Sequence, residues 1–447
     1  MTTQSRDVAT DKGEPMTRPI QRLRLAGAAT VIAGAIALAG CSTQMPAQEV
    51  DGSSAPSTDA QSVLTFASGQ QAAAQELLDG FQGAYPQYKV EPVFIEQDSA
   101  YIQQLRTQLS AGTAPDIFKV WPGGGDSMAI HSVAADGLVQ DLSNEGWASL
   151  VPENLRGLSG LDGSLHSLPA TIGGIGAIYN DQAMKEIGAS APTTWTEVLD
   201  LCVDAKAAGK VAYALGNKDA WTAQLLPYAL TASLVYGPDP EFTNKQVAGE
   251  ATFADSGWST ALERIDEMRK AQCFNEGANG TGYDDQMKLV AQGEALGAVH
   301  VSQAVSGAQQ YAPENVTFSL APFPATDNAD ETYTPVAPGL NFAMNAKAKN
   351  PEAASAFLEY AASPEGQALF AVASNSTPAL PAPSYEADAI NKPLIAAQTG
   401  QRATVYPDQT WPNTQVKEEF MISMQELFNG TLEASEILNR LDEAMQG

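Results

Sequence analysis

The sequence predicts an α/β protein with mainly parallel strands and enough chain for two lobes. Three observations carry this reading. Short strand-like and helix-like segments alternate beyond residue 61, residues 62–121 spell β-α-β-α-β, and the same pattern restarts after Pro169. Roughly 385 residues remain from Ser62 onward, which suits two lobes of ordinary size.

Residues 63–67 form the first strand, which Ser68 and Gly69 break. A helix follows with Ala74, Leu77, Leu78 and Phe81 on one face, stopped by Gly83 and Pro86. Residues 89–96 alternate as the second strand, and Pro92, unable to donate a ladder hydrogen bond, assigns it to an edge or a bulge. The next helix, from about Ser99, places Tyr101, Leu105 and Leu109 at i, i+4 and i+8 and closes at Gly112; residues 116–120 are the third strand. This is the opening of a doubly wound lobe, in which a ligand sits beyond the carboxyl ends of the strands. Those ends are Ser68-Gly69-Gln70, Gln97-Asp98 and Trp121-Pro122-Gly123-Gly124, polar and glycine-rich with one large aromatic.

In the second half, residues 176–179 read as a strand and 181–187 as a helix ending at Gly188. Thr194-Trp195-Thr196-Glu197 is a capping box, whose hydroxyl and carboxylate satisfy free amides at a helix start. Residues 211–215 are a strand, 221–233 a helix, and 296–301 and 316–321 further strands. Residues 351–361 and 364–373 are consecutive helices with proline at the permissive first position, and 415–428 and 434–445 close the chain as two more.

The first forty residues read as a targeting segment. Arg18, Arg22 and Arg24 precede an uncharged run, 25–38, that is too short and too rich in small side chains for a permanent span. Leu38-Ala39-Gly40-Cys41 resembles the bacterial lipobox, so Cys41 is expected to become a lipidated N-terminus. Residues 42–61 hold little to bury and are expected to act as a tether. Formal charge is -28, and removing residues 1–40 makes the chain more acidic still, which argues against nucleic acid and anionic lipid surfaces as partners. Cys202 and Cys273 are an even pair in an oxidising compartment; one disulfide or two separately buried thiols both fit.

No G-x-S-x-G, H-E-x-x-H, phosphate loop or G-x-G-x-x-G is present. The histidines His131, His166 and His300 stand far apart in sequence, and no two carboxylates are marked out as a catalytic pair. The expectation is a protein without catalysis, cofactor or metal. Trp121, Trp221 and Trp411 instead stand beside turn-forming or polar residues, where an indole can stack on the C–H face of a sugar; the alternative is that they cap the core.

The order of segments resembles the carbohydrate-binding lipoproteins of ABC importers, the extracellular solute-binding family that includes maltose-binding protein. The resemblance rests on Gly112-Thr113-Ala114-Pro115-Asp116-Ile117, Tyr179-Asn180-Asp181, Pro192-Thr193-Thr194-Trp195-Thr196-Glu197 and Gly293-Glu294-Ala295. Asn350-Pro351-Glu352-Ala353-Ala354 and Ser363-Pro364-Glu365-Gly366 complete it. It implies a type II periplasmic-binding-protein-like fold, two doubly wound α/β lobes joined by crossing hinge segments near 168–171, 334–338 and 375–381. One lobe would hold 62–168 and 339–374, the other 172–333 and 382–447.

The strand ends and the resemblance together give an expected ligand set of Ser68, Gly69, Gln97, Asp98, Trp121, Thr171, Asp219, Trp221, Gln303, Gly339, Leu340 and Trp411. The implied partners are a carbohydrate and the permease subunits of an ABC importer, with the protein a monomer lipid-anchored at the outer face of the cytoplasmic membrane. The same fold holding a phosphorylated polyol or a metal chelate is the alternative. Two positions depart from the family's pattern: His300-Val301-Ser302-Gln303 replaces a segment that often carries an aromatic, and Pro338-Gly339 stands where a glycine pair is common.

Overall fold

The protein is described from a computed structural model covering residues 62–446; the expected targeting segment (1–40), Cys41 and the tether 42–61 lie outside the described residues. The strands in chain order are β1 (Ser62–Ser68), β2 (Tyr88–Phe94), β3 (Ile117–Val120), β4 (Gly160–Leu161), β5 (Ser164–Leu165) and β6 (Ser167–Asn180). They continue as β7 (Val211–Tyr213), β8 (Ala295–Val301), β9 (Phe318–Ala321), β10 (Thr334–Met344), β11 (Thr377–Pro378) and β12 (Ala403–Thr404). Their main path runs β2-β1-β3-β10-β6-β8-β7, with β9 and β11 also on β6 and β12 on β10.

The first lobe is built on parallel β2-β1-β3 with helices on both faces. On one face Phe66 packs against Phe342 and Phe357 at 5.6 and 5.4 Å between ring centres, and Phe81 of helix Gln71–Ala84 meets Phe357. On the other, Ala67, Phe118 and Val120 meet Tyr101, Leu105 and Leu109 of helix Asp98–Ala111. Helices Pro351–Ala362 and Pro364–Ala373 return to this lobe, each with its proline where a missing N–H costs nothing. β2 is an edge strand, as Pro92 requires.

In the second lobe β7 runs parallel to β8, and β8 and β9 run antiparallel to β6. Its core gathers Trp195, Tyr213, Phe253, Trp258, Phe323 and Phe420. Cys202, in helix Trp195–Ala207, is disulfide-bonded to Cys273, just past helix Gly257–Lys270.

The sheet is mixed rather than mainly parallel, because β10 runs antiparallel to β3 and β6. Sequence patterning finds only residues 176–179 of β6, whereas the strand spans 14 residues, all buried. Pro169, Gly173, Gly174 and Gly176 interrupt its pattern, as Pro335, Pro338 and Gly339 interrupt that of β10. Two register shifts, flanking Leu340, let β10 carry these residues. The two strands connect the lobes: residues 341–344 of β10 pair with β3, and residues 175–179 of β6 pair with β8. The helix expected over 221–233 is instead a 3-10 turn (Ala220–Gln224), an α-helix (Leu225–Thr231) and a π turn (Ala232–Tyr236).

Candidate functional site

The carboxyl ends of the first-lobe strands bring Gly69, Asp98 and Trp121 around one cation. Lys119 is 7% exposed on β3; its Nζ lies 2.8 Å from Asp98 Oδ1 and 4.1 Å from the centre of the Trp121 ring. A Cβ placed on Gly69 would come within 3.9 Å of that ammonium. Tyr101 holds the arrangement from beneath, donating from its hydroxyl to Lys119 O (2.7 Å) and meeting the Trp121 ring edge-on at 5.9 Å. The Ser68 hydroxyl is fully buried without a hydrogen-bond partner among the described residues. Gln70 and Gln71 N–H groups donate to the Glu96 carboxylate (3.1 and 2.7 Å), which pins the loop after β1 to the end of β2. Gln97 is exposed at the start of helix Asp98–Ala111.

The second-lobe residues also gather. Asp219 accepts the Tyr283 N–H at 2.7 Å, at the start of helix Tyr283–Ala291. Trp221 is half-buried, its ring centre 5.6 Å from Tyr283 and 5.1 Å from His300, the latter nearly perpendicular at 87°. His300 is completely buried on β8, and burial pushes its pKa down to about 3. Its Nδ1 accepts the Val301 N–H (3.0 Å), so the neutral ring carries its proton on Nε2, which has no partner among the described residues. Neither His300 nor Tyr283 belongs to the expected ligand set. The available signal was a lone histidine in the otherwise apolar strand Ala-Leu-Gly-Ala-Val-His-Val.

Gln303 stands between the two long strands. A Cβ on Gly173 of β6 would lie 2.3 Å from its Nε2, and one on Gly339 of β10 would lie 3.4 Å away, so the glycines make its room. Thr171 and Leu340 face each other in the β6–β10 ladder and are each 2% exposed. The loop after Trp121 is tied to the C-terminal segment: Gly124 N–H donates to Gln409 O (3.1 Å), and Gln409 Nε2 donates to Pro338 O (2.8 Å). Gly123, at φ 72°, allows this approach, since a Cβ there would overlap Gln409 O. Lys417 Nζ bridges Asp408 (2.9 Å) and Asp126 (3.3 Å) across the same seam.

Trp411 requires a correction. It is 1% exposed, and its ring lies among Tyr228, Phe253, Trp258 and Phe420 at 5.8 to 6.4 Å between centres. Protein side chains surround the indole, so it serves the second-lobe core and leaves the ligand set. A pocket of about 470 Å³ lined by Tyr179, Asp181, Met184 and Ser319 lies at the far end of β6 and holds none of the expected site residues. Among the described residues no group of His, Cys, Asp and Glu is placed to hold a metal, and no helix is long and apolar enough to cross a membrane.

The family model for bacterial extracellular solute-binding proteins matches residues 67–368. A multiple sugar-binding protein of Streptococcus mutans is 22% identical over 260 residues, covering 57% of this chain and 60% of that relative, so the match spans less than two thirds of it. The maltodextrin-binding protein MdxE of Bacillus subtilis is 24% identical over 328 residues, with 72% and 73% covered. Among solved structures, a chitin oligosaccharide binding protein superposes with a TM-score of 0.72 at 20% identity, covering 86% of this chain and 98% of that one. At that identity the likeness establishes the shared two-lobed, type II periplasmic-binding-protein-like fold.

Proposed function

Because this chain belongs to the family of bacterial extracellular solute-binding proteins, we propose that it captures a carbohydrate between its lobes and presents it to the permease of an ABC importer. The family consists of binding proteins rather than enzymes, and no chemical step is assigned. The lobes comprise 62–168 with 339–374 and 172–333 with 382–447, and they close by bending where β6, β10 and β11 cross.

The observation that supports this best is an indole beside a carboxylate in each lobe, Trp121 with Asp98 and Trp221 with Asp219, connected by two continuous strands. A sugar needs that combination: C–H faces rest on aromatic rings while hydroxyls take up acceptors and donors. Trp121 and Trp221 stack on the ligand, and Gln97, Asp98, Asp219 and Gln303 bond its hydroxyls. Ser68-Gly69, Thr171 and Gly339-Leu340 offer groups near the crossing. A phosphorylated ligand is disfavoured because the buried cation at the first-lobe strand ends is already paired with Asp98.

Titration of intrinsic tryptophan fluorescence against mono-, di- and oligosaccharides tests the reading. A saturable change with a sugar is expected, and Trp121→Ala or Trp221→Ala should each weaken that sugar's binding by about tenfold or more. If no sugar alters the emission, or both variants bind as the parent does, the assignment fails.

A further inference from the structure

We infer that Asp98 and Lys119 act together as a specificity device that commits the first-lobe subsite to an uncharged sugar unit, so that loss of the Asp98 carboxylate opens it to an acidic one. This rests on the carbohydrate reading above and assigns Lys119 a part in recognition.

Lysine is almost never buried unless paired. Here the Lys119 side chain is 8% exposed, while that of Asp98, its acid partner, is 39% exposed. The ammonium has three N–H donors. Among the described residues one is directed to Asp98 Oδ1, and the Trp121 and Tyr101 rings lie 4.1 and 5.5 Å from the nitrogen. Donors therefore remain beside the Gly69 backbone, where bulk is kept out by the glycine.

The pair offers a sugar adjacent donor and acceptor groups with no net charge. A neutral unit can give a hydroxyl proton to Asp98 and accept one from Lys119, with its ring against Trp121. A uronate or sugar phosphate in the same place would bring its charge against the Asp98 carboxylate, and that repulsion disfavours it. Converting Asp98 to Asn keeps the shape and leaves the ammonium without its counter-charge. The same geometry then favours a ligand carboxylate. Lys119 also fixes Trp121 by lying over its ring, so its removal loosens the stacking face as well as the donor.

The experiment measures calorimetric affinities of the parent protein, Asp98→Asn and Lys119→Met. The probes are neutral xylo-, malto- and galacto-oligosaccharides, together with uronate-bearing oligosaccharides of matched length. The parent should prefer a neutral ligand over its uronate counterpart. Asp98→Asn should narrow or invert that preference by about tenfold or more, and Lys119→Met should weaken the neutral ligand by a similar factor. If Lys119→Met fails to fold, Asp98→Asn alone carries the test, since its side chain lies partly in solvent. A parent that prefers the uronate, or an Asp98→Asn variant with the parent's neutral-to-uronate ratio, overturns the inference and leaves carbohydrate binding standing. A parent that binds no member of the panel overturns the carbohydrate reading and the inference with it.

Discussion

His300 gives the molecule a pH response that can be worked out from one side chain. Burial takes its pKa from 6.5 down to about 3, so between these values the unfolded chain binds a proton that the folded chain refuses. The contribution of His300 to stability is therefore complete above pH 6.5 and is lost as pH falls toward 3, at about 1.4 kcal/mol per pH unit. Urea unfolding of the parent and of His300→Asn, compared at pH 7.5 and pH 4.5, should show the parent losing more stability by about 2 kcal/mol or more. Equal losses would mean that the imidazole titrates normally. The residue scale is also where sequence reading was most uneven. Trp121 and Trp221 directly follow a strand end or a turn, which is what singles them out in the sequence. Trp411 was misread, because Tyr228, Phe253 and Trp258, which enclose it, are remote in sequence. No sequence motif marks Lys119, because its pairing with Asp98 needs a helix start to meet a strand end 21 residues away.

At the scale of elements, what patterning found easily were helices with caps and short strands with clean borders. The capping box at Thr194 and Glu197 is present with both reciprocal hydrogen bonds, and the helix Pro364–Ala373 has the boundaries its proline predicts. The strands that join the lobes were the hardest to see. β6 and β10 are buried, so neither alternates apolar with polar residues, and their glycines and prolines mimic loops. Two of those glycines, Gly173 and Gly339, make space for Gln303. The disulfide belongs to this scale too, because it closes a loop with a sequence separation of 71 residues between two helical segments. Replacing both Cys202 and Cys273 with Ser should cost about 4 kcal/mol through the freed unfolded chain, read as a lower denaturant midpoint. A variant as stable as the parent would show that the second-lobe core alone holds these helices together.

For the whole molecule, two lobes joined by continuous strands provide a body that can close without breaking its core, and Cys41 would give that body a place to work. A lipid-held receptor stays near its permease, which raises the effective concentration between them. Cys41→Ala should accordingly bind sugar like the parent yet be recovered from the medium or as unprocessed precursor; recovery in the membrane as a processed form would refute the anchor. The Lys417 bridge to Asp126 and Asp408 and the Gly124 contact with Gln409 join the loop after Trp121 to the C-terminal segment. The most direct test of capture between lobes is small-angle X-ray scattering of the protein through a titration with a sugar that it binds. The account predicts a radius of gyration that falls saturably, with the same midpoint as the fluorescence change. Saturated sugar binding with an unchanged radius and scattering curve would contradict it.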